Sequence, residues 1–281
     1  MFQADRQKAI NMWHRRTWYS TLCALALLGL YAILCAMSWM VLGPVLSVVL
    51  WTFFLIVPSL YLQSFLEGKP DADTLSEEPA GEVRERLYQI RARIEQRTRT
   101  TIPPILISRL KEENAFIVHA PSRGDALILL TRSMLRRYKD PVLRAAVAHE
   151  LGHFYAWDYH LHLVATQPAW FLFRLCSFPR KFGKVGSALT FAFMFPLRPL
   201  EALLAFTSRQ REFAADSFML WVVGEVDSLE ELLFTKAEEV DPENSHESLY
   251  SPGMLLAGHP TNVERIDALR ALEVRSSTKR H

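Results

Sequence analysis

Between Thr17 and Leu66 the sequence has no Asp, Glu, Lys, Arg or His, a gap of fifty residues in a chain of 281. That absence excludes a simple water-soluble protein, because a run of this length holds two bilayer crossings of about 20 residues each and a tight turn. It also excludes a signal peptide, whose apolar region runs to only about 7–15 residues before a cleavage site that is not evident here. An excess of one charge is missing too. Lys+Arg 32 against Asp+Glu 30 leaves +2, which offers no electrostatic basis for binding nucleic acid. Cysteine is scarce: Cys23, Cys35 and Cys176 form no CxxC pair and are odd in number. A disulfide framework and a thiolate metal site are therefore excluded, and the three read as small buried side chains in a reducing compartment. There is no internal repeat. The overall 50% hydrophobic and 22% charged residues are ordinary globular averages, but they average two unlike parts.

The apolar part divides at Ser38–Pro44, where Gly43-Pro44 supplies a turn. A first span is expected over Trp18–Met37 and a second over Val45–Leu62, with Trp18, Tyr19, Trp39 and Tyr61 near the ends, where amphipathic rings favour the interface. Residues 1–16 read as a basic tail, with Arg6, Lys8, Arg15 and Arg16 against Asp5. Those cations place the N-terminus in the cytoplasm, and two crossings return the chain there. A helical hairpin buried in a soluble core is the competing reading. Residues 67–82 turn abruptly acidic, with Pro and Gly, as a linker does. Beyond it a helix is expected over Val83–Arg97, then strands over 104–108, 115–118 and 126–130, the last two joined as a hairpin by the turn Pro121–Asp125.

The chemistry lies further on. Asp140-Pro141 reads as a helix start, Asp as N-cap and Pro at the first helical position. The helix contains His149-Glu150-Leu151-Gly152-His153, an H-E-x-x-H. Four residues make slightly more than one turn, so both imidazoles leave one face and can share a Zn²⁺ ion, with Glu150 beside them as general base. Catalytic zinc needs a third protein ligand, and His160, His162, Glu201, Glu212, Asp216 and His259 are available. The short-range metzincin position is occupied by Tyr159. Glu212 is the better choice. It lies in the helical SRQREFAADSFML, with Asp216 one turn on, placed to accept a hydrogen bond from the outer nitrogen of a ligating His. Taken alone, Glu212 and Asp216 would read as a solvated acidic face.

These residues carry a resemblance to the HtpX-type membrane zinc metallopeptidases, relatives of the Oma-type and prenyl-protein-processing proteases. Asn114-Ala115-Phe116 resembles the family's N-A-F strand, and Ala148–His153 its zinc helix, with Asp158 at the matching place downstream. Arg211–Asp216 resembles the third-ligand helix, and His259-Pro260-Thr261 with Glu264-Arg265-Ile266 the H-P…R-I element. The resemblance implies an α+β fold: an N-terminal transmembrane helical hairpin (17–66), then a mostly helical zincin-type metalloprotease domain with a small β-sheet (83–281). It implies a gluzincin endopeptidase with one zinc per chain held by His149, His153 and Glu212. Glu150 would take the proton from water, and His259 and Arg265 are candidates to face the oxyanion. Asn114, Ala115 and Phe116 would pair with an extended substrate. Expected partners are the lipid bilayer and unfolded or membrane-associated protein substrates, with the catalytic domain facing the cytoplasm at a bacterial inner membrane. The competing functions are processing of lipidated C-termini and a non-catalytic scaffold or chaperone with a structural zinc. A transporter is disfavoured because neither span carries an ionisable group.

A second apolar region, about 161–206, departs from the family's usual two further spans. Leu161–Phe173 and Val185–Leu197 are 13 residues each, roughly 20 Å as helix against a core of about 30 Å. Crossings between His153 and Glu212 must be even in number if both meet one ion. Two full crossings would put Arg180, Lys181 and Lys184 on the outer side, against the positive-inside preference. A hairpin that dips into or lies on the inner leaflet is therefore expected. True crossings and a core hairpin are the alternatives.

Overall fold

The computed structural model describes residues 6–45, 48, 52, 76–110, 114–120, 125–156, 165, 169, 173, 176–238 and 260–277. Helix α1 spans Arg6–Leu42, about 55 Å at 1.5 Å per residue. Among the described residues it is the one helix long and apolar enough to cross a membrane. It ends at the expected turn, where Gly43 takes a left-handed φ of 76° and its amide bonds to the Trp39 carbonyl at 3.1 Å. Most of the expected second span lies outside the described residues.

α1 starts within the stretch expected as a basic tail. Ala9, Trp13, Thr17, Ser20, Ala24 and Leu27 are all buried. Their three- and four-residue spacing puts them on one stripe, which runs across the boundary between the polar and the apolar sequence.

The acidic linker also holds more structure than expected. Strand β1 (Ser76–Glu77) lies inside it, and α2 (Gly81–Thr98) begins there. β2 (Ile105–Ser108), β3 (Ala115–Ala120) and β4 (Asp125–Thr131) follow. The mixed sheet has the order β1-β2-β4-β3. β3 and β4 pair antiparallel, Ala115 opposite Leu130, as the expected hairpin, whereas β2 and β4 pair in parallel. Side chains alternate between faces. Ile105, Ile107, Ile128 and Leu130 enter the main core, and Leu106, Leu127 and Leu129 form a separate cluster with Phe116.

After β4 come α3 (Arg132–Arg137) and α4 (Asp140–Phe154). Asp140 was expected to cap α4, but the N-cap is Lys139 and Asp140 lies in the first turn. Its carboxylate pairs with Arg86 of α2, which also donates to the Leu135 and Tyr138 carbonyls at 2.6 Å. A long-range guanidinium thus replaces the local cap. The chain continues through α5 (Gly183–Met194), α6 (Arg198–Val223), α7 (Asp227–Glu238) and α8 (Asn262–Ser277).

α6 runs antiparallel along α1. Trp13 meets Phe218, Arg16 donates to Gln210 at 2.6 Å, and Ala24 and Leu27 share a cluster with Leu204. The main core gathers α2, the sheet, α4, α7, α8, the polar end of α1 and the C-terminal half of α6. A second, smaller core joins the apolar half of α1 to Ala165, Ala169, Phe173, Met194 and Leu204.

Candidate metal centre

α4 buries one broad face, Val142, Leu143, Ala145–Ala148, Leu151 and Gly152, so His149 and His153 leave it on the side facing α6. The two helices approach closely at Gly152. A Cβ there would lie 2.8 Å from Ala215 Cα and 3.0 Å from the Ala215 carbonyl, so only glycine fits. Ala215 sits between Glu212 and Asp216, and the contact brings both carboxylates to the histidines.

His149 Nε2 is 3.6 Å from Glu212 Oε2, and His153 Nε2 is 3.6 Å from Glu212 Oε1. One ligand atom from each of His149, His153 and Glu212 lies within 4.8 Å of the others. Behind them His149 Nδ1 is 2.9 Å from Asp216 Oδ1, which leaves Nε2 to face Glu212. Asp216 is only 1% exposed. Arg265 of α8 holds it from Nε at 2.8 Å and from Nη2 at 2.6 Å, while Arg265 Nη1 is 3.7 Å from Glu212 Oε2.

α8 is started by a capping box, Thr261 and Glu264. The Thr261 amide donates to Glu264 Oε2 at 2.8 Å, and the Glu264 amide to Thr261 Oγ1 at 3.2 Å. Arg209 of α6 also pairs with Glu264, so the helix carrying Arg265 is pinned to the one carrying Asp216.

Burial opposes a charge on either imidazole. At His149 hydrogen bonds to Asp216 and Glu212 outweigh it, and the pKa rises to about 9. At His153 the charge on His149 reinforces it, and the pKa falls to about 3. Asp216 is held below the usual carboxylate range: burial pushes it up, but Arg265 and His149 more than offset that. A tetrahedral zinc with bonds of 2.0–2.1 Å would hold its ligands about 3.4 Å apart; both His–Glu212 separations are 3.6 Å, and all three ligand atoms lie within 4.8 Å of one another. Two neutral imidazole nitrogens and a carboxylate are a donor set that suits zinc. The residues fit the group.

Asn114 and Ala115 lie beside this cluster. With Met134, Ala146, His149, Glu150, Leu229, Leu232, Leu233 and Arg265 they line a pocket of about 120 Å³. Asn114 is tied to the end of β4: its amide donates to Thr131 Oγ1 and its carbonyl accepts from the Thr131 amide, both at 3.1 Å. β3, which carries Ala115 and Phe116, is the outermost strand of the described sheet on this side. Of the residues the sequence singled out, His149, His153 and Glu212 converge, Asp216 lies behind His149, and Glu150 lines the adjoining pocket. Arg265, expected at the oxyanion, reaches the site with two nitrogens on Asp216. His259 and Asp158 lie outside the described residues. Leu229, Leu232 and Leu233 were not singled out in the sequence, where they look like any apolar helix face.

Residues 79–273 match the sequence profile of Peptidase family M48. The chain belongs to that family. It is 27% identical over 210 residues to a "Protease HtpX homolog" of Sulfurovum sp. (strain NBC37-1), covering 66% of this chain and 75% of that one. It is 25% identical over 237 residues to "Protease HtpX" of Pseudomonas fluorescens (strain Pf0-1), covering 75% and 80%. A crystal structure of S. mikatae Ste24p aligns with a TM-score of 0.49 at 18% identity, over 86% of this chain and 66% of that one. The chain is an HtpX-like M48 metallopeptidase, and as such acts on protein substrates and uses a metal, typically zinc. Its α1 is by length and composition able to cross a membrane.

Proposed function

We propose that the protein is a membrane-anchored zinc endopeptidase of a bacterial inner membrane, cutting unfolded or membrane-associated proteins at the cytoplasmic face. The observation that carries this reading is the convergence of His149, His153 and Glu212 in front of the Asp216–Arg265 pair. In it these three side chains would hold the ion, and Asp216 would keep the His149 proton on Nδ1 so that Nε2 is free to bind. Bound there, zinc would supply Lewis acidity for peptide hydrolysis. Glu150, on the same helical turn, would accept a proton from water. Arg265 keeps Asp216 ionised. The substrate backbone lies along β3 by strand addition. The pocket beside Glu150, lined by Leu229, Leu232 and Leu233, takes an apolar side chain.

The second apolar region is placed in the bilayer by this reading. Gly186, Thr190 and Met194 form a buried stripe on α5, while Phe182, Val185, Leu189, Phe191 and Phe195 in and around it are exposed. Twelve residues reach only about 18 Å, so α5 enters without crossing alone. The second core lies alongside α1 near Tyr31, whose hydroxyl donates to the Ala165 carbonyl at 3.0 Å. Tyr31 is about 21 Å of helix beyond Thr17.

Glu150→Gln is the test. The detergent-purified variant should keep its metal by elemental analysis and lose casein cleavage by at least about a hundredfold. Cleavage at the parent rate would sink the mechanism.

A further inference from the structure

We propose that Trp13 is a positioning residue of the metal centre: its indole N–H caps the carbonyl end of α4 and fixes the peptide unit that carries His153. The inference rests on the reading of His153 as a metal ligand.

α4 stops within two residues of His153. The Tyr155 amide still bonds back to Leu151 at 2.9 Å, but the next amide, Ala156, closes a tighter turn onto the His153 carbonyl at 3.3 Å. In a continuing helix that amide would have gone to Gly152. Carbonyls in a last helical turn must find donors elsewhere, and buried ones are costly to leave without one. The Gly152 carbonyl accepts from Trp13 Nε1 at 3.3 Å, in a buried contact between residues 139 positions apart.

Gly152 is also the glycine on which α6 rests at Ala215. The residue preceding a metal ligand is therefore held twice, by the backbone of the helix bearing Glu212 and by an indole from α1. Trp13 is itself fixed. It is 7% exposed, and its ring lies 5.4 Å from Phe218, tilted by 57°. Phe218 is among the atoms that would meet a side chain at position 152. Trp13 thus closes a three-way contact between α1, the end of α4 and α6.

The consequence is directional. His153 is the last metal-binding side chain on α4, one residue from the point where helical bonding gives way. A cap there keeps the ring oriented before the ion arrives, so less ordering is needed on binding. Groups bonded directly to a ligating side chain change metal affinity by 10–100-fold, which bounds a contact one peptide unit further out. A single neutral hydrogen bond acting through one peptide unit belongs at the lower end.

The test uses the full chain in detergent, loaded with Zn²⁺ and titrated with a chelator. Trp13→Phe keeps a ring against Phe218 and removes the donor. It should release zinc at about a tenfold lower chelator concentration, and the melting midpoint of the zinc-loaded chain should fall further than that of the metal-free chain. Unchanged zinc retention, or equal falls in both midpoints, would overturn the proposal and leave Trp13 a packing residue. His153→Ala is run beside it. If that variant holds zinc like the parent, the metal-centre reading fails and the cap has no ligand to position; if it loses zinc, Trp13→Phe tests the cap alone. Should Trp13→Phe not fold, 3-benzothienylalanine at position 13 keeps the ring shape, replaces N–H by sulfur, and is judged by the same two outcomes.

Discussion

The two cores of this protein are built by opposite rules. In the main core the buried ionisable groups answer one another: Asp216 binds both His149 and Arg265, and large apolar side chains turn inward. The smaller core packs Ala24, Ala165 and Ala169 with Leu27, Phe173, Met194 and Leu204. Around it other large side chains are exposed, Ile33 60%, Met40 78% and Phe191 66%. A water-facing body cannot leave so many in one zone, whereas a lipid-facing one gains nothing by hiding them. In the proposed reading the difference marks two solvents along a single helix, α1, which contributes to both cores.

The sharpest way to break the contrast is to strip the main core of one charge. Arg265→Ala leaves the Asp216 carboxylate buried with only His149, and should cost about 3 kcal/mol of stability together with most metal binding. Denaturant unfolding with elemental analysis reads both, and a loss under 1 kcal/mol would show the carboxylate finding other partners. Next comes Gly152→Ala, whose methyl must move α6. Overpacking of this kind costs about 2–3 kcal/mol and should weaken zinc retention in step, read by melting with and without the ion.

Phe191→Asp probes the other solvent. On a lipid-facing helix it should cost about 2 kcal/mol and lower membrane-inserted yield, whereas a water-facing position would tolerate it within about 0.5 kcal/mol. The smallest effect belongs to Glu264. Its hydrogen bonds to Arg209 and Thr261 hold its pKa down to about 2. The contribution is complete above the ordinary carboxylate value of about 4.3 and is lost as pH falls towards 2. Hydrogen exchange at the start of α8 should therefore rise on acidification over that window, and Glu264→Gln should flatten the rise.

The two candidate histidine ligands were legible in the sequence because their four-residue spacing within α4 is local, whereas Glu212 and Asp216 alone read as a solvated acidic face and became candidates only beside that motif. The β3–β4 hairpin was legible for a similar reason, with turn residues between two β-rich runs. What stayed hidden is long-range or lacks a hydrophobic signature. A composition boundary at Thr17 suggested that structure began there, yet the stripe from Ala9 to Leu27 passes through it, made partly of Ala, Thr and Ser. Asp140 carries every local sign of a cap, and Arg86, from another helix, claims its carboxylate. Leu106 and Leu129 pair in parallel, which two short apolar runs cannot announce. Arg265 shows only as a cation near a histidine until α8 is docked by Glu264.

The hydrogen atom that Gly152 carries in place of a side chain sets a width. The backbones of α4 and α6 stand as near as two helices can at that point, and the gap in which an ion would sit between His149, His153 and Glu212 is gauged by their contact. The donors that meet across it, two imidazole nitrogens and one carboxylate, suit zinc better than calcium, which takes oxygen ligands. A residue that offers no donor atom thus decides whether the three that do can meet.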